Sequence, residues 1–158
     1  MKKLFLLLVI TASTTMFAQS SDDIAIIQDI YGKSKTDLIN DYLNLPEPQA
    51  TAFKEVYNNY ETERKALGKK KIQLISDYAA NYDTLTDENA DELTKNNLKI
   101  NVDQEKLFSK TYGKAKKAIG AINAAKFIQL EQYLQTTVQA EVQDAIPFIG
   151  ELEKTKKK

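Results

Sequence analysis

PEPQATAFKEVYNNYETERKALGKKKIQLISDYAANY, residues 46–82, has one interior residue that disfavours a helix, Gly68. As a single helix, its 37 residues span about 55 Å at 1.5 Å per residue. That exceeds what a compact domain of this size needs, so the other helices are expected to lie along it. Phe53, Val56, Tyr57, Tyr60, Leu67, Leu74, Ile75 and Tyr78 fall within about 100° of arc at helical spacing, and Tyr82 extends the same face. Arg64 and Lys71 lie inside that apolar arc. Their stems can cover apolar surface while the charged heads seek a carboxylate or water. An unpaired buried charge is expensive, so Arg64 is expected to pair with Glu131 or Glu141 on the last helix, a structural ion pair that fixes register.

Two prolines, Pro46 and Pro48, separate this stretch from what precedes it, and Pro48 suits the first turn of a new helix. Upstream, Ser20 or Ser21 can cap a helix whose first turn carries Asp22 and Asp23, where the helix dipole favours them. Ile24, Ile27, Tyr31, Leu38 and Tyr42 recur on one side of it, with Gly32 a point of kinking. Downstream, Thr86 is a good cap, with Leu85 and Ala90 placed as a hydrophobic staple. A third helix follows with Leu93, Ile100, Leu107, Phe108, Tyr112, Ala115 and Ile119 inward, Asn97 and Gln104 in the same seam, and Leu98 and Val102 on the opposite side. Ile122 and Asn123 read as the next turn, Asn123 capping and Ile122 stapling onto Phe127. The last helix buries Phe127, Leu130, Leu134, Val138, Val142 and Ala145, flanked by Glu131 and Glu141, and Pro147 stops it. No strand pattern or internal repeat is present. The sequence predicts an all-α fold of four antiparallel helices, about 21–43, 47–82, 87–119 and 124–146, in an elongated bundle or long helical hairpin arrangement. One domain covers 19–146, and 147–158 form an apolar end and a basic, disordered tail.

Residues 1–18 read as a signal peptide: Lys2 and Lys3, a short apolar run over 4–10, and a small residue, Ala18, before the expected cleavage at Gln19. The run is shorter than the roughly 20 residues needed to span a bilayer, and no cysteine follows it for lipid attachment. The expected location is the bacterial periplasm or the exterior. Cleavage removes Lys2 and Lys3 from the 22 basic residues and none of the 22 acidic ones, leaving a charge of about −2 that offers nothing to nucleic acid. Without cysteine there are no disulfides, so packing alone must hold about 140 residues, enough for one core.

The chain contains no histidine, cysteine or tryptophan. That removes imidazole and thiolate metal sites, the usual nucleophile–base pairs and the histidine general base. No phosphate loop or nucleophile elbow is present, so neither an enzyme nor a cofactor is expected, and a carboxylate-dependent hydrolase is the remotest reading. Asp87, Asn89 and Asp91 match the start of a calcium loop, but Glu92 stands where glycine is needed and Leu98 where a bidentate glutamate belongs. Leu98 and Val102 either bury against another helix of a wide bundle or are exposed. Exposure would suit a homodimer contact or a surface for unfolded polypeptides. Lys114, Lys116 and Lys117 form a basic cluster, read either as a solvated face or as a contact for anionic lipid or acidic peptide.

LPEPQ at 45–49 resembles the L-T-x-x-Q motif of the Spy/CpxP-like periplasmic chaperones and stress sensors, with INAAK at 122–126 in the place of a second copy. A resemblance over nearly the whole mature chain joins ERKALG (63–68), DYAANY (77–82), LTD (85–87), AAKFIQLE (124–131) and AIP (145–147) to small exported bacterial helical proteins of unassigned activity. The resemblance implies a thin helical protein that dimerises into a cradle for unfolded clients. The expected function is non-enzymatic, protein-binding and chaperone-like. The alternative is a structural or anionic-lipid-associated envelope component.

Overall fold

The computed structural model describes residues 31–144, together with Ile27, Ile146 and Ile149. The expected signal peptide, the start of the first helix, and the tail lie outside the described residues. Among those described, three α-helices and no strand are present: α1 (Lys35–Leu43), α2 (Gln49–Asn81) and α3 (Asp87–Asp144).

Local chemistry sets the boundaries. Gly32 takes φ 64°, so the helix expected over 21–43 does not run through it. Ser34 restarts the chain as a cap, its Oγ accepting from the Asp37 N–H at 3.2 Å, with Asp37 in the first turn. Asn44, left-handed at φ 43°, closes α1 by donating its N–H to the Asn40 carbonyl. Pro48 stands at the N-cap of α2. After α2, a 3₁₀ turn (Tyr82–Thr84) leads to Thr86, whose Oγ1 accepts from the Asn89 N–H at 3.2 Å and opens α3.

The 58 residues of α3 are two helical arms that meet at Gly120, whose φ 81°, ψ 163° is not helical. Phe108 stacks on Tyr60 and Phe127 meets it edge-on, with centroids 6.3 and 5.5 Å away. Nineteen residues of straight helix would hold them about 28 Å apart. The chain therefore doubles back at Gly120. The arm 87–119 runs antiparallel to α2, joined by Lys110–Glu63 and Lys71–Asn97 contacts, and the arm 121–144 returns beside it. The expected count of four helices gives way to three, since α3 carries both later segments without a separate linker. Asn123 is not the cap of a new helix: it donates to the Ile119 carbonyl at 3.2 Å, and Ile122, at 80% exposure, staples nothing.

The core is one-sided. Ile39, Leu43, Phe53, Tyr57, Leu107, Ala115, Ile119, Ala124 and Phe127 are buried together near the Gly120 end. Phe127, fully buried, meets Phe53, Tyr57 and Tyr60 edge-on at 5.0–6.1 Å, each contact worth about 0.5–1.5 kcal/mol beyond area burial. Beyond Tyr60, no residue of α2 is fully buried. The apolar arc continues through Leu67, Leu74, Ile75 and Tyr78, but these are half-buried and face an opening.

Candidate functional site

Where the tight core ends, the helices bring four charges together. Lys35, in the first turn of α1, places its Nζ 2.8 Å from Glu131 Oε2 and 2.6 Å from Glu61 Oε1. The Tyr60 hydroxyl donates to Glu131 Oε2 at 2.7 Å. Arg64, one turn along α2 from Tyr60, donates from Nε to Glu61 Oε1 at 2.9 Å and from its terminal nitrogen to Oε2 at 3.1 Å. Lys35 also lies over the Tyr60 ring, 5.4 Å from its centroid, which the ring quadrupole favours.

Burial divides the two carboxylates. Glu131 is 2% exposed, and that burial pushes its carboxyl above the ordinary range despite Lys35 and the Tyr60 hydroxyl. Burial also acts on Glu61, but the bonds and charges of Arg64 and Lys35 outweigh it and hold Glu61 low. Burial and the neighbouring Glu131 charge drive the Tyr60 phenol far upward, keeping it a donor. Among the described residues, two buried polar side-chain atoms have no hydrogen-bond partner, Glu131 Oε1 and Gln104 Nε2.

This cluster is the floor of a cavity of about 390 Å³ between α2 and both arms of α3, in the range of small-ligand pockets. Leu74, Ile75, Leu93, Leu134, Val138 and Val142 supply apolar wall, with Gly68 and Ala90 as small residues in it. Lys71 is also in the wall, and its Nζ donates to Asn97 Oδ1. Burial lowers the Lys71 ammonium from its usual range. A second space, about 780 Å³, is a cleft between the arms, lined by amides such as Gln132, Gln135, Gln139 and Gln143 together with Val102, Lys71, Glu105 and Lys106.

The residues singled out from the sequence are dispersed. Glu131 takes its cation from Lys35 rather than Arg64, Arg64 bonds Glu61 on its own helix, and Glu141 is exposed. The pairing of Arg64 with Glu131 or Glu141 is thereby corrected. A local carboxylate three residues away satisfies Arg64 at less conformational cost than a reach across the bundle. Leu98 and Val102 are 57% and 52% exposed, one turn apart. Lys114, Lys116 and Lys117 are exposed about three turns further along the same arm. Sequence reasoning missed Lys35 as the partner of Glu131, and it missed the amide face. The latter had a signal, since glutamines at 132, 135, 139 and 143 recur at helical spacing.

Fold and site together define an all-α protein with an apolar cavity over a charged floor and an amide-lined cleft beside it. Comparison with protein-family models, with curated proteins and with solved structures finds no match. Among the described residues, no helix is long and apolar enough to cross a membrane, and no group of three or more acidic side chains could hold a metal ion.

Proposed function

We propose that the protein is a non-enzymatic, exported binding protein of the bacterial periplasm or exterior whose partners are unfolded or partly folded polypeptides. The observation that carries this is the exposed pair Leu98 and Val102, with Val102 on the amide-lined cleft. An extended chain offers alternating N–H and C=O groups whatever its sequence. Carboxamides offer both a donor and an acceptor, so a row of them pairs with any backbone. The adjoining leucine and valine take apolar side chains, and the exposed Lys99 beside Leu98 favours an acidic residue in the client. The L-T-x-x-Q resemblance at 45–49 supports the same reading.

The test is suppression of aggregation of a denatured client. Wild-type protein suppresses it, and the double variant Leu98→Asp, Val102→Asp does not. Both residues are exposed, so stability changes within about ±0.5 kcal/mol. Suppression that survives the double substitution, with folding intact, refutes the reading. If the pair is instead a homodimer contact, light scattering shows a dimer that the double variant dissociates.

The second reading, association with anionic lipid, is favoured by the exposed Lys114, Lys116 and Lys117. Each lysine near an anionic surface contributes about 1 kcal/mol, screened by salt. Salt-sensitive binding to phosphatidylglycerol vesicles, lost when the three are changed to glutamine, supports it. No binding at low salt removes it.

A further inference from the structure

Among the described residues, three cations line the 390 Å³ cavity, and they are not equivalent. Lys35 and Arg64, at the floor, have carboxylates 2.6 and 2.9 Å away. Lys71 is seven residues beyond Arg64 on α2, about 10 Å higher. Its partner is the neutral Asn97 side chain, and it has no carboxylate within 4.0 Å among the described residues. Burial alone accounts for its lowered affinity for the proton, with no compensating anion. Beyond it, Leu74, Ile75 and Tyr78 continue along α2 and face Ala90 and Leu93, with Thr94 among them.

We propose that this cavity binds a medium-chain fatty-acid carboxylate, its head on Lys71 and Asn97 and its alkyl chain along Leu74, Ile75, Leu93 and Val138. A carboxylate supplies the missing countercharge and accepts from the ammonium in a charge-assisted bond, which a neutral head cannot match. Lys35 and Arg64 at the floor are already paired with Glu61 and Glu131, which leaves Lys71 as the cavity cation with no carboxylate beside it among the described residues. Gln104, two turns deeper than Asn97 on the same arm, adds an unpaired buried N–H donor to the same cavity wall. An ammonium head has a like charge to meet in Lys71 and is disfavoured. The site shares Lys71 and Asn97 with the amide-lined cleft but does not use Leu98 or Val102, so Lys71→Met and the Leu98, Val102 double variant distinguish it from the polypeptide reading.

The experiment is calorimetric titration of the full chain with decanoate, decanol and decylamine. Decanoate binds at one site, at least about tenfold more tightly than decanol, with decylamine weakest. Lys71→Met brings decanoate down to the affinity of decanol and leaves decanol unchanged, and Lys71→Arg retains the preference. Gly68→Leu, which fills open space in the wall without meeting another atom at its Cβ, removes binding of all three with the helical circular dichroism intact. The same titration with phosphatidylglycerol vesicles separates a free fatty acid from a membrane headgroup, since Lys71→Met leaves vesicle binding unchanged. Equal affinity for decanoate and decanol, decanoate binding that survives Lys71→Met, or no binding of any probe overturns the proposal.

Discussion

Replacing Lys35 with methionine tests the charged floor at its most buried point. Lys35 is 10% exposed and holds Glu131, 2% exposed, at 2.8 Å. Without it, Glu131 keeps the Tyr60 hydroxyl on Oε2, while Oε1 already has no partner. Breaking one side of a buried pair costs about 3–5 kcal/mol, a large share of the roughly 5–15 kcal/mol that holds a domain folded. The cost depends on pH with a definite sign. Burial raises the Glu131 pKa above its unfolded value, and loss of Lys35 raises it further. Such a group contributes stability that is fully present below the unfolded pKa and is lost as pH rises through the folded one. The deficit of Lys35→Met is therefore widest at about pH 8 and narrows at about pH 5. Glu61 acts oppositely: its lowered pKa gives stability present above the unfolded value, about 4.3, and lost as pH falls through the folded value. Measurements should stay above that window. Urea denaturation followed by far-UV circular dichroism reads the difference directly. Lys35→Met combined with Glu131→Leu should recover much of the loss, because an apolar pair replaces an ion pair at little net cost. A deficit under about 1 kcal/mol at pH 8, or one that is the same at both pH values, would refute this account of the floor.

Three further substitutions probe the frame around it. Gly120→Ala should destabilise by about 1–3 kcal/mol in urea denaturation, because φ 81°, ψ 163° is a conformation open essentially to glycine. The cost is purely backbone, since a Cβ there meets nothing within 4 Å. Gly68→Ala should do the reverse: it lies in regular helix with open space around its Cβ, and thermal unfolding should show a gain of about 0.8–1 kcal/mol. Phe127→Ala should cost about 3–5 kcal/mol in the same assay, as the ring is fully buried against Phe53, Tyr57 and Tyr60.

Helix identity was legible because periodicity and capping are local. Thr86 opens α3 where the sequence places a cap, and α2 lies within one or two residues of its expected bounds. The reversal near 120 was misplaced by two residues. An asparagine after an apolar residue resembles a cap signal, but a single glycine in a forbidden region for other residues turns the chain with no loop at all. The extent of burial was not legible. A 3.6-residue period shows which way Leu74 and Tyr78 point, but not how closely the facing arms approach them. Nor was the floor: Lys35 and Glu131 are nearly a hundred residues apart, and only packing brings them together. The sequence left Leu98 and Val102 open between burial and exposure, because either outcome satisfies the same spacing, and the structure exposes both.

The departures from stability logic gather at one end of the molecule. A sequence selected for packing alone would carry large aliphatic residues where Gly68 and Ala90 face the cavity, and helix propensity would favour the change at Gly68. It would also avoid a two-cation, two-carboxylate floor with Glu131 Oε1 unpartnered, a buried Gln104 donor left unpaired in the wall, and a lysine beside them. At the Gly120 end aromatic rings interlock, and among the described residues Glu131, at the floor, is the one buried charged side chain. Natural sequences violate local rules mainly where function requires it. The closed end therefore supplies the stability that lets the other end stay open. The cavity, with Lys71 in its wall, is the place where a stabilising substitution should most directly cost binding. Gly68→Leu makes that trade measurable, because its gain in helix stability and its loss of cavity volume arise from the same side chain.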